Sequence, residues 1–191
     1  MKLSNESEIA ALLESIRGDD AQDLAQAERL LARFPDDPRL HFLRGSILAG
    51  RQRAIEAHVS LARAVELAPE FHIARYQLGF FELTSGEADK ALSTWGPLLR
   101  LPQAHHLRLF VEGLTHLVRD EFAEAIDSMK AGMAANTKNP PLNNDIALLV
   151  AECEKLADQG DEGSGDAERE DSDLSATSLM LGQFSPGPTR H

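Results

Sequence analysis

The chain has 191 residues and a formal net charge of −12, which is long enough for one domain with its own core. Eight acidic residues and a single arginine lie between Asp158 and Asp173, so more than half of the excess negative charge sits near the end. No cluster of Lys and Arg offsets it, which excludes nucleic acid and anionic membrane as expected partners.

Cys153 is the only cysteine, so no internal disulfide forms, and a reduced, cytoplasmic setting is expected. The first twenty residues carry Glu6, Glu8, Glu14 and Arg17 and have no continuous apolar stretch. No signal peptide is expected from them. No run of apolar residues reaches the length of a membrane-spanning helix.

In chain order, Leu3 to Arg17 predicts an amphipathic helix with Ile9, Leu12, Leu13 and Ile16 on one face. Ala21 to Phe34 predicts a second, stopped by Pro35-Asp36-Asp37-Pro38. Three clearer helical pairs follow: Arg39 to Ala49 with Arg53 to Leu67, Phe71 to Ser85 with Glu87 to Leu99, and Ala104 to Val118 with Glu121 to Ala135. Their connectors are short, which makes each pair an antiparallel hairpin. Pro97 falls inside the second helix of the middle pair and predicts a kink or early stop. Leu142 to Leu156 predicts a last, single helix able to cover the open end of the stack. From Asp158 to Asp173 the composition predicts disorder, and Leu179 to Phe184 then forms a short apolar peptide on that leash.

One interval organises the pairs. Gly45, Gly79 and Gly113 are 34 residues apart, as are Ala57, Ala91 and Ala125, and Phe42, Tyr76 and Phe110. Three columns with one period mark a two-helix repeat, a unit that cannot bury its apolar face alone. In the first, weaker pair Asp23 stands where the later alanines would be, as in a degenerate terminal cap.

These features resemble the tetratricopeptide repeat family. Gly45 with Ala57, Gly79 with Ala91 and Gly113 with Ala125 match the small residues that let the two helices of such a repeat approach. Leu61, Trp95 and Met129 match the large apolar position four residues on, Pro69 the closing proline, and Leu78-Gly79 the leucine–glycine pair. The chain departs from the pattern at His41, Arg75 and Leu109, where a large aromatic is usual, at Arg44 and Glu112 in place of leucine, and at Gly132 in place of alanine.

The resemblance implies an all-α, right-handed α-solenoid of antiparallel helix hairpins with a disordered acidic C-terminal tail. Residues 1–38 would be a degenerate capping pair, 39–70, 71–103 and 104–138 three repeats, 139–157 a capping helix, and 158–191 the acidic linker and terminal peptide. It further implies that Phe42, Ile73, Tyr76, Phe80, Leu83, Leu107, Phe110, Leu114 and Leu117 line the inner face as one apolar wall. A bare wall of that size is uncommon on a soluble protein.

Three occupants are therefore open: the protein's own last helix, making the wall ordinary core; an apolar helix or extended segment of another protein; or the chain's own tail, Leu179 to Phe184. The expected function is non-catalytic protein–protein interaction through the groove. The alternative is a secretion-chaperone-like holder of an apolar client segment, and an enzyme using a metal or cofactor is the distant third.

No catalytic, cofactor-binding or metal-binding residue is expected. His105-His106 is the only close histidine pair, and His41, His58, His72 and His116 fall on different helices without partners at ligand spacing. Asp19-Asp20 and Asp36-Asp37 lie in turns, where carboxylates cap the next helix. Cys153 reads as an inert buried thiol. Phe42, Ser46, Tyr76 and Phe110 hold the places at which some members of the family grip a terminal carboxylate, so no such clamp is expected.

Overall fold

The structure, a computed structural model, describes residues 3–17 and 22–162, without the side chains of Arg17 and of 158–162. The described residues are all-helical, with nine α-helices, one 3-10 segment and no strand among them. Asp19-Asp20 and the whole stretch from 163 onward, including Leu179 to Phe184, lie outside the described residues. The chain divides into two compact units, one up to Ser85 and one from Gly86.

The first unit holds α1 (Glu6–Arg17), α2 (Asp23–Arg33), α3 (Pro38–Gly50), α4 (Ala54–Leu67) and α5 (His72–Thr84). Leu12, Ala27, Leu40, Leu48, Ala57 and Leu61 are fully buried in one cluster that joins these helices. Each large aliphatic side chain so buried contributes about 1.5–3 kcal/mol. Helix α3 starts where the sequence says it must: Pro38 needs no hydrogen-bonded N–H in the first turn, and Asp37 accepts the Arg39 N–H at 3.0 Å. The backbones of α3 and α4 meet at Gly45, where a Cβ would lie 2.7 Å from Leu61 Cγ and 3.2 Å from Leu61 N. Asp23, which replaces the small residue in the first pair, is buried and ion-paired with Arg51 of the α3–α4 turn.

The second unit holds α6 (Ala88–Trp95), a 3-10 segment over Gly96–Arg100, α7 (His106–Val118), α8 (Phe122–Ala135) and α9 (Pro140–Glu162). Pro97 ends α6 early, since it can donate no bond to the preceding turn, and the tighter 3-10 coil that follows fully buries Leu98, as Trp95 before it is buried. Helices α7 and α8 close at Gly113, where a Cβ would meet Met129 Cγ at 2.7 Å, Ala125 O at 3.0 Å and Met129 N at 3.2 Å. Gly132 is closed off in turn by the Phe110 ring, 2.5 Å from where its Cβ would stand.

Helix α9 packs on α8. Ile146, Leu149, Val150 and Cys153 are buried along one helical face. At its start, Asn143 Nδ2 donates to Met133 O at 3.1 Å and Asn136 Nδ2 donates to Asn143 Oδ1 at 2.8 Å. The helix is longer than Leu142 to Leu156. It begins on Pro140 and runs to Glu162, past Asp158, where the sequence predicts the acidic linker to begin. Residues 151–157 are Ala, Glu, Lys and Leu apart from Cys153, strong helix formers that carry the helix up to Asp158, and with no proline after them it continues through Gly160 to Glu162.

Helices α3, α5, α7 and α9 begin at residues 38, 72, 106 and 140, and α4, α6 and α8 at 54, 88 and 122, every step being 34. The turns share a conformation. Gln52 (φ 60°), Gly86 (φ 83°) and Asp120 (φ 57°) are left-handed and again 34 apart. The residues after them, Arg53, Glu87 and Glu121, have φ between −99° and −86° and ψ between 58° and 70°. Arg53 N donates to Leu48 O at 2.9 Å and Glu121 N to His116 O at 3.0 Å, which satisfies carbonyls at the helix end as a left-handed cap does.

A side chain with a Cβ loses about 1–2 kcal/mol in this conformation, partly offset by the freedom glycine has when unfolded. Gln52→Gly is therefore expected to raise stability in urea denaturation by about 0.5–1 kcal/mol. Asp120→Gly should gain less, because Asp tolerates the region better than Gln. An unchanged or lowered midpoint for Gln52→Gly would contradict the strain.

Candidate functional site

The nine side chains expected on the inner wall divide by exposure. Tyr76, Leu83 and Leu107 are 3–4% exposed, and Phe110, Leu114 and Leu117 are fully buried. None of the nine is among the exposed large apolar residues. At six of the nine positions the wall is therefore covered, and those side chains are core. The physical reason in the second unit is visible at Phe110. Its ring fills the space over Gly132 of α8 and takes His106 edge-on, with centroids 6.0 Å apart. The sequence signal for this was Gly132 itself: its missing side chain makes room for a ring on the facing helix.

Phe42, Ile73 and Phe80 are half-buried and keep part of their surface in solvent. All three lie in the first unit, on α3 and α5. Phe42 packs against Phe71 at the N-cap of α5, with ring centroids 5.2 Å apart. Tyr76 and Phe80, one helical turn apart, are stacked at 6.3 Å. Between the two helices the Ser46 hydroxyl donates to Gln77 Oε1 at 3.2 Å. The surface is thus a half-open aromatic and aliphatic strip with one polar pair set into it. Sequence reasoning named Phe42, Ile73 and Phe80 but did not find Phe71 or Gln77. Phe71 sits at a helix end, and its role depends on how α5 meets α3.

The ionisable groups are committed to the fold. Asp37 is fully buried. It accepts Ser4 N at 2.9 Å, Ser4 Oγ at 2.6 Å, Arg39 Nε at 3.1 Å and Arg39 Nη2 at 2.9 Å. Burial alone would push this carboxyl up, but the hydrogen bonds from Arg39 and Ser4 outweigh it and hold the pKa down at about 2. Glu82, 2% exposed, meets His58 Nε2 at 3.1 Å, and His116 Nδ1 meets Glu121 at 2.6 Å. The His105 and His106 rings stack at 4.7 Å, and His105 Nδ1 accepts the Leu107 N–H as the cap of α7. Burial, then the neighbouring charges of His105 and Lys138, hold His106 below its usual value. Cys153 is fully buried, and burial pushes its thiol up to about 11, far from a thiolate at neutral pH.

Among the described residues no group of three or more His, Cys, Asp and Glu side chains is placed to hold a metal ion. No helix among them is long and apolar enough to cross a membrane. No known family's sequence profile matches the chain, and no curated protein is similar to it in sequence.

Proposed function

We propose that this protein is a non-catalytic interaction module of the tetratricopeptide type. In this reading its hairpins stack as a right-handed solenoid, and the half-open strip on α3 and α5 binds an apolar helix or peptide of another protein. The observation that carries the reading is the strip itself. Phe42, Ile73 and Phe80 keep part of their apolar surface in solvent beside the Ser46–Gln77 pair. Aromatic anchors next to a hydrogen-bonding pair suit a partner that brings apolar side chains together with polar backbone. The common interval of the helix starts and of their left-handed turns supports the tetratricopeptide assignment.

The test uses charge on the strip. Phe42→Asp with Phe80→Asp in the full chain should weaken capture of a stoichiometric partner at least tenfold, which is about 1.4 kcal/mol, while helical circular dichroism is kept. Ile55→Asp, on the exposed side of α4 with Ile55 82% exposed, is the control and should bind as the native protein does. A double variant that stays folded and retains its partners would remove the strip from consideration.

A further inference from the structure

Helix α9 occupies the place of the first helix of a fourth hairpin but has no second helix among the described residues. It begins 34 residues after α7 and packs on α8. Ala147 stands 34 residues after Gly113, where α7 takes the close approach of α8. In α9 that position is open: Asn144, Ala147 and Ala151 are exposed, and Leu148 is 59% exposed. The chain does not supply the missing helix locally, because α9 passes straight through Glu154, the counterpart of the left-handed Gln52, Gly86 and Asp120.

We propose that the protein's own residues 174–184, outside the described residues, dock on this face and complete the hairpin. Three features of the chain point to that occupant. First, the second helices carry a small residue followed four positions on by a large apolar one: Ala57 and Leu61, Ala91 and Trp95, Ala125 and Met129. Ala176 and Met180 repeat that pair. Second, the same offset sets Gln183 opposite Asn144. Two amides would then face each other where α7 and α8 set Phe110 against Gly132. Third, the reach suffices. From Ala147 to Glu162, the last residue of α9, is about 22 Å along the helix. The 13 residues 163–175 can extend to about 43 Å. A return from the C-terminal end of α9 runs antiparallel to it, as the second helix of a hairpin does.

The full chain carrying Ala147→Cys and Ala176→Cys tests this under mild oxidation, with buried Cys153 left in place. Rapid disulfide formation within one chain is expected. An Ile55→Cys, Ala176→Cys pair should be slower by about tenfold or more, and Met180→Asp added to the first pair should slow it by a similar factor, the tenfold step being about 1.4 kcal/mol. Equal rates for the two pairs would overturn the proposal. So would a disulfide that joins two chains, which would assign the face to a second copy. The α9 face and the α3–α5 strip are on different helices, so loss of cross-linking and loss of capture report separately.

Discussion

Phe110→Ala is expected to lower stability by about 3–5 kcal/mol, the usual cost of emptying a fully buried aromatic site. The ring has no exposed surface and stands over Gly132 of α8, so its removal leaves a hole between two helices whose backbones cannot close on it. Gly113 already brings α7 so close to α8 that a Cβ there would stand 3.0 Å from Ala125 O and 3.2 Å from Met129 N. A urea titration of the variant reads the loss directly. If Phe110 were an open contact residue, the other reading that the sequence alone leaves open, the midpoint would barely move and only partner capture would fall. A shift under about 0.5 kcal/mol, the range of an ordinary surface change, would refute the buried assignment.

Asp37→Ala is expected to cost about 2–4 kcal/mol, since it leaves a buried polar pocket without its acceptor. One carboxylate ties the segment before α1 to the start of α3: it caps α3 through Arg39 N and holds Ser4 by both its N–H and its hydroxyl. The sign of its pH effect follows from its titration. Its pKa is about 2 in the folded protein against 3.8 in an unperturbed chain, so the folded state favours the charged form. The stability it contributes is fully present above about pH 4 and is lost as pH falls through about 2. Its size is about 2 kcal/mol from the difference in pKa. Stability of the native protein measured between pH 7 and pH 2 should therefore fall more steeply than that of Asp37→Asn, which keeps an acceptor for the cap but has no proton to gain. Parallel acid limbs for the two proteins would disprove the assignment.

Local stops were legible without a structure because each acts within a turn or two of the chain. Pro38 and Asp37 begin α3, and Pro97 ends α6, through backbone donors and fixed φ alone. Helix type, helix number and the small residues at Gly45 and Gly113 were legible for a related reason: an interval of 34 repeats the same local problem, and the chain answers it the same way. The sequence ends α9 near Leu156 because the acidic residues that follow read as linker, yet no proline stands among them and the helix runs on through Gly160 to Glu162.

The candidate site was half legible. Apolar residues at helical spacing on α5 and α7 identify a face that avoids water, but they do not say what covers it. Phe80 and Leu114 occupy equivalent places, one after Gly79 and one after Gly113. Phe80 keeps part of its surface open, while Leu114 is fully buried. Nothing within either helix distinguishes them. Periodicity, caps and turn residues are properties of neighbours along the chain, and for this protein they determined the helices and their interval. Exposure is a property of neighbours in space, so only the tertiary arrangement decided that Phe110 is core, that Phe42 and Phe80 stay half-open, and that Ala147 is exposed, with no helix against it among the described residues.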